Sequence, residues 1–264
     1  MPDSACDAVA VRSGTVGSAV VNDRIYIHEF IDIRGHQRAN YVHHMTANWS
    51  PTAQVQRHQL CYGVWSLLGS TGAWPQVVNM WEEDGWDGLA GSFGIEAVGT
   101  GAQDPKLAKW WATAAEFRRG GFDRIMVPAP WTRTIEELCA DGVTGTAYAH
   151  ELVRVRPGSA AELLERAREE AIGPLGAYGW QLAGAFTTAM VNDDEALLLW
   201  AIPTWQHWAD GEAAHATDDT VVRWRRGVGE LVTSWHRTVL VDAPLSPFRT
   251  HRQPSVEDRT DWED

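Results

Sequence analysis

The sequence predicts an α+β protein made of two copies of one β-α-β-β-α-β unit in tandem. The first observation is a repeat: Tyr26-Ile27-His28-Glu29 through Gly35 is answered by Tyr148-Ala149-His150-Glu151 through Gly158 at an offset of 122. The second is that further anchors follow in the same order, Trp81 and Trp86 against Trp200 and Trp205 at offset 119, and Trp110 and Glu116 against Trp224 and Glu230 at offset 114. An offset that shrinks while the anchors keep their order is what a duplication with small deletions in the second copy leaves. The third is the element order, which reads the same in both copies.

In the first copy, residues 24 to 34 alternate Ile25, Ile27, Ile31 and Ile33 with Tyr26, His28, Phe30 and Arg34, the period of a strand with two distinct faces. Gly35 then releases a helical stretch to Trp49, expected to end at Ser50-Pro51. Two strands follow at 57 to 69 and 75 to 82, joined through Ser70-Thr71-Gly72. A helix capped by Asp104-Pro105 runs to Arg119 and is expected to stop at Gly120-Gly121, before a fourth strand at 122 to 128. The second copy gives strand 146 to 156, helix 159 to 173, strands 179 to 190 and 195 to 202, helix 218 to 232 and strand 235 to 241.

This is the ferredoxin-like split βαβ pattern, with both helices on one face of a four-stranded antiparallel sheet. The opposite face must be covered, and two copies in one chain can cover each other. The expected architecture is therefore tandem ferredoxin-like repeats forming an intramolecular α+β barrel. Its parts are an N-terminal arm (1–22), a first repeat (23–132), a linker (133–145), a second repeat (146–248) and an acidic tail (249–264).

Composition narrows the function classes. A net charge of -13 argues against nucleic acid and anionic membranes as partners. No run of 18 apolar residues suggests a membrane span, and the first 22 residues lack the basic start and apolar stretch of a signal peptide, so a cytoplasmic location is expected. Cys6, Cys61 and Cys139 lie far apart without paired spacing, against a disulfide framework or zinc ribbon. Fifteen tryptophans need a large core to pack against or a cavity to line. Gly-x-Ser-x-Gly, Walker and Gly-x-Gly-x-x-Gly motifs are missing, which leaves hydride and phosphoryl transfer without support.

The strand-to-helix motif Tyr148-x-His150-Glu151-Leu152-x-x-Val155-Arg156-Pro157-Gly158 (x marking positions not used), with Trp200 before an aromatic helix start and the closing Ala243-Pro244-Leu245-Ser246-Pro247-Phe248, resembles the NIPSNAP-like proteins of the dimeric α+β barrel superfamily. The resemblance covers residues 24 to 248 as a tandem. It implies a range of activities: cofactor-free monooxygenases, polyketide cyclases, muconolactone-type isomerases and haem enzymes. The first copy departs from the pattern, with His28-Glu29-Phe30 where the family commonly shows Tyr-Glu-Leu-Arg.

Chemistry is expected where the copies differ. The second copy's first helix, Ala160 to Ala171, is a conventional amphipathic helix. The first copy's reads His36 to Trp49, with His43, His44 and two asparagines and only Tyr41, Val42, Met45 and Trp49 as an apolar stripe. A helix so poor in packing groups has the composition of an active site or of a solvated face.

Histidine moves protons near neutral pH, so His28, His43, His44 and His58 are candidate general bases. Tyr26 is a candidate hydrogen-bond donor, with Tyr62 as its alternative. Glu29 points away from His28, among aliphatics, where burial would raise its pKa. Phe30, Tyr41, Tyr62, Trp65, Trp81, Trp86 and His150 are the expected substrate contacts, with Phe30, Trp65 and Trp81 around a barrel cavity. Alternation alone leaves open which strand face looks inward.

These residues suggest a small-molecule enzyme of bacterial secondary or catabolic metabolism, performing cyclisation, isomerisation or dehydration on an aromatic or polyketide-like substrate as a monomer or homodimer. No cofactor is expected. The alternatives are a haem or metal enzyme, with His207, His215 and His236 as axial candidates, and a non-catalytic binding protein.

Overall fold

A computed structural model describes residues 21–97 and 105–261. The arm up to residue 20, with Cys6, and the Gly99-Thr100-Gly101 and Asp104 positions lie outside the described residues. The elements are β1 (Ile25–Ile33), α1 (Arg38–His43), a π-helical turn (His44–Trp49), α2 (Ser50–Arg57), β2 (Leu60–Leu67), β3 (Gln76–Glu83), α3 (Gly85–Glu96), α4 (Pro105–Phe117), β4 (Arg118–Pro128) and α5 (Ile135–Ala140). The second half gives β5 (Ala147–Val155), α6 (Ala160–Glu170), α7 (Ile172–Gly176), β6 (Gln181–Thr188), β7 (Glu195–Ile202), α8 (Trp205–Thr217), α9 (Asp219–Gly227), β8 (Val232–Asp242) and α10 (Pro247–Thr250).

The eight strands close into one barrel in the order β1-β3-β2-β8-β5-β7-β6-β4. Each repeat contributes a four-stranded antiparallel sheet, β4-β1-β3-β2 and β8-β5-β7-β6, with its helices outside. The repeat holds strand by strand: β5 lies 122 residues after β1, β7 lies 119 after β3 and β8 lies 114 after β4. Register breaks recur too, at Cys61/Gly63 in β2 and Leu182/Gly184 in β6. Both glycines make room for a ring: a Cβ would stand 2.2 Å from Trp65 at Gly63 and 2.4 Å from Phe186 at Gly184.

Within a sheet, β1 pairs with β3 and with β4 over eight registered positions each. The two sheets meet more sparingly. β2 with β8 and β4 with β6 each share three registered pairs.

Several boundaries differ from the sequence reading. The first helix does not end at Ser50-Pro51 but continues to Arg57, and the next strand starts at Leu60 rather than 57. Proline inside a helix removes one backbone bond and crowds the preceding turn. The wide π turn just before Pro51 accommodates it. Gly120-Gly121 does not stop a helix either, since α4 has ended at Phe117 and both glycines belong to β4. Gly121 lets β4 approach β1, where a Cβ would sit 2.5 Å from the Phe30 carbonyl oxygen. The segment 133–145 carries α5, whose Ile135 and Leu138 enter the barrel core. The tail is tied down by Gln253, whose side-chain amide donates to the Cys61 carbonyl and accepts from the Cys61 N–H, at 2.9 Å each, on the stretch of β2 that β8 leaves unpaired.

The alternation of β1 resolves with Tyr26, His28 and Phe30 facing inward. Tyr26, Tyr62, Trp65, Tyr148, Phe186 and Phe248 fill one half of the interior, most neighbouring rings meeting edge to face or tilted with centroids 4.8 to 5.9 Å apart. At the middle, His28 and His150 reach across the barrel and share a hydrogen bond, Nε2 to Nε2, of 2.8 Å. One proton between the two Nε2 atoms means that the rings cannot both be charged, and burial favours the neutral form of each.

Burial depresses both histidines, His150 to about 3 and His28 well below its usual 6.5. Unfolding returns them to the ordinary range, so the unfolded chain binds protons first as pH falls. The stability contribution is complete above about 6.5 and is lost as pH drops toward the folded values. Each histidine should steepen the acid limb by about 1.4 kcal/mol per pH unit. Replacing both by Met should flatten that limb in denaturant titrations between pH 6.5 and 4, and an unchanged slope would show that the pair is not buried neutral.

Candidate active site

The outer face of the first sheet carries Glu29. Its Oε2 accepts from Trp81 Nε1 at 3.0 Å and from Asn79 Nδ2 at 2.8 Å, and the same Asn79 amide donates to the Tyr41 hydroxyl at 2.9 Å. Both bonds fall on Oε2 and neither uses Oε1. On the neighbouring strand Asp123 stands directly opposite Glu29 in the β1/β4 register. Burial first and the Asp123 charge second push the Glu29 carboxyl up to about 7, against the lowering pull of its two donors and Arg118.

Glu29 opens on a cleft of about 530 Å³, within the range that holds a small molecule. Ile27, Phe93, Trp111, Phe122 and Ile125 supply apolar lining, and the charged lining besides Glu29 is Arg124 and Arg154 with Glu96, Asp123 and Glu195. The cleft sits where β4 and β6 part. Their pairing covers only Met126 to Pro128 against Phe186 to Thr188, and beyond it the two strands separate toward the β6–β7 hairpin.

The second copy shows the same carboxylate put to another use. Glu151 is buried, accepts from Trp200 Nε1 at 3.0 Å, and stands opposite Arg237 in the β5/β8 register. Arg237 Nε donates to Glu151 Oε1 at 2.6 Å, and its other nitrogens reach Glu212 and His215. Arg237 and Asp123 are the same position in the two repeats, at offset 114, and Asn79 corresponds to Leu198, at offset 119. One copy therefore holds a charge-compensated pair within a buried polar cluster. The other holds two facing carboxyls in a polar network beside a cleft.

The remaining residues expected at a site are dispersed. Tyr26 is sealed in the barrel, donating to the buried Glu82 at 2.9 Å, and Tyr62 donates to the Ala183 carbonyl at 2.7 Å. Trp65 and Phe30 face the interior, whereas Trp81 belongs to the outer face, so no cavity lies between these three; the reason is the strict alternation that sends Trp81 toward the helices. Trp86 is 53% exposed at the start of α3, and His58 is exposed at the end of α2 with a left-handed φ of 55°. His28 and His150 are occupied with each other.

His44 is buried, stacked on Trp110 with centroids 4.9 Å apart, and its Nδ1 lies 3.1 Å from Asn48 Nδ2. Burial lowers its pKa to about 4. His43 meets Asp261 of the tail at 3.2 Å. With Asn40, Asn48 and Thr113 they line a separate polar cleft.

His215 Nε2 accepts from Arg237 and the ring is lowered to about 4 by burial and that cation, and His207 is held by Thr204. Neither they nor His236 line the clefts described here, a poor fit to an axial haem ligand. Among the described residues no group of three or more His, Cys, Asp or Glu side chains is placed to hold a metal ion, and no helix is long and apolar enough to cross a membrane. Sequence reasoning missed Asp123. Its signal was the offset of 114, which sets it against Arg237.

A single chain whose two ferredoxin-like repeats close one eight-stranded barrel has the dimeric α+β barrel architecture written as one polypeptide. Solved structures share it. A protein provisionally described as a monooxygenase from Lactobacillus acidophilus NCFM is 10% identical over 89% of this chain and 97% of its own, with a TM-score of 0.56. An anthrone oxidase-like protein is 9% identical over 85% and 93%, with a TM-score of 0.52. A NIPSNAP domain protein from Burkholderia xenovorans matches 36% of this chain and 92% of its own at 19% identity, with a TM-score of 0.32. No family model and no curated protein matches the sequence. At 9 to 10% identity the first two likenesses are of fold.

Because the Asp123 charge favours the neutral form of Glu29, Asp123→Asn should lower the Glu29 pKa below about 7 and Asp123→Arg, the second copy's arrangement, should lower it further. Carbon-13 carboxyl shifts, assigned by difference with Glu29→Gln, would read this. A midpoint that does not move would remove Asp123 from the account.

Proposed function

We propose that this protein is a small-molecule enzyme in which Glu29 is the general acid–base, acting on an aromatic, enolisable substrate held in the cleft between β4 and the β6–β7 hairpin. The observation that carries this reading is the contrast between copies: the carboxylate opposite Arg237 is tied up in an ion pair, while the one opposite Asp123 is held near half-protonation beside a cleft. A group whose pKa sits near the working pH is present in both forms and can accept and return a proton in one cycle.

Catalysis on this reading begins when the substrate ring enters against Phe93, Trp111 and Phe122. Trp81 and Asn79 fix the carboxyl through Oε2, and proton transfer uses Oε1. Abstraction of a proton from the carbon beside a carbonyl gives an enolate and a neutral Glu29, and return of that proton to another carbon or to a leaving hydroxyl completes an isomerisation or a dehydration; attack of the enolate on a second carbonyl gives cyclisation. The barrel histidines have no part in this. They are buried, paired and lowered far from neutrality.

Incubation with 2-tetralone in deuterium oxide tests the proposal. Wild-type protein should exchange the protons next to the carbonyl, at a rate rising through pH about 7, and Glu29→Gln should slow exchange by about 100-fold or more. Equal exchange by wild type and variant, with the variant folded, would sink the assignment.

A further inference from the structure

The wall of the cleft facing Glu29 holds two guanidiniums and one carboxylate. Glu195 is buried, and its Oε1 is occupied by Arg124 Nε at 2.6 Å and by the Thr188 hydroxyl at 3.2 Å. Arg154 reaches the other oxygen only at 3.8 Å, with its side chain 60% exposed. Glu96 and Asp123 line the cleft as well, and among the described residues Arg154 has no ion pair besides that long contact with Glu195. Arg124 is not the free partner: it is mostly buried, over the Phe122 ring at 4.6 Å, and bound to Glu195 through its shortest contact.

This cluster exists at one seam of the barrel only. The positions equivalent to Arg124, Glu195 and Arg154 at the other seam are Thr238, Gln76 and Asp32, where Gln76 simply donates to Asp32 at 2.9 Å. Arg154, held by that one long contact, thus lines the same cleft as Glu29, in a chain of net charge -13.

We infer that the cleft takes an aromatic carboxylic acid, with the carboxylate on Arg154 and the ring on Phe122 and the neighbouring apolar wall. This rests on the cleft being the site proposed above and adds the anionic end of the ligand. An arginine fork suits a planar carboxylate, and the exposed Arg154 side chain can turn from its long contact with Glu195 to a ligand without leaving an unpaired buried group. The hairpin residue Met190, 74% exposed, stands at the cleft and offers the ring a flexible apolar contact.

Calorimetric titration with 2-naphthoate and its neutral counterpart 2-acetylnaphthalene separates the contributions. Wild type should bind the acid more tightly, and Arg154→Gln should weaken the acid by about tenfold while leaving the ketone unchanged; added salt should weaken only the acid. No binding of naphthoate at millimolar concentration, equal affinities for the two compounds, or an Arg154→Gln protein that keeps full affinity for the acid would each overturn the inference. If Arg154→Gln keeps that affinity while Glu29→Gln abolishes exchange, the anion site fails and the acid–base reading stands. If Glu29→Gln keeps exchange while Arg154→Gln selectively loses the acid, the acid–base reading fails and the anion site stands.

Discussion

A four-stranded sheet with both helices on one side leaves half of its side chains with nothing to pack on, and here each sheet satisfies the other. That mutual cover explains why Tyr26, Tyr62, Trp65, Tyr148 and Phe186 are all sealed although they come from four different strands. The polar groups at the centre must then be satisfied across the axis rather than by solvent. His28 and His150 do so with one shared bond, and an imidazole left without its partner there would carry the cost of an unmet buried polar group, about 1 to 3 kcal/mol. Around that pair the inner face is committed to cohesion, and it meets the cleft toward Phe122 and Arg124.

The outer faces are where the copies were free to diverge. Both keep a glutamate beside a tryptophan indole, Glu29 with Trp81 and Glu151 with Trp200. In the second copy the opposing position is arginine, and the pair is buried with further hydrogen bonds, the arrangement in which an ion pair is tolerated in a protein interior. In the first copy the opposing position is aspartate, whose charge adds to burial in raising the Glu29 carboxyl. A change of sign at one strand position is part of what separates the two carboxyls, along with Asn79 in place of Leu198.

The strands were legible because their signals are local and periodic: 25–33, 76–83 and 195–202 fall within a residue of the alternating runs, and the offsets of 122, 119 and 114 recur in the barrel. The helices were less so, because Pro51 reads as a stop unless the π turn before it is known, and Gly120-Gly121 reads as a stop although close strand approach demands Gly121. At the site, the orientation of Glu29 away from His28 and the upward push on its carboxyl followed from alternation and burial alone. The histidine-rich helix drew notice for its composition, yet His44 spends its ring on Trp110. Asp123 passed unremarked because its meaning lies in what faces it, which is a property of register and not of residue type.

The two seams of the barrel are alike in pairing and unlike in chemistry. Two identical chains closing the same barrel would repeat every seam residue twice and present two equivalent clefts. Joining the halves into one polypeptide lifts that symmetry: Arg124, Glu195 and Arg154 gather at one seam, Thr238, Gln76 and Asp32 at the other. The consequence is one of stoichiometry. Among the described residues the grouping of Arg124, Glu195 and Arg154 occurs once per chain, and the two seams of one barrel are not interchangeable.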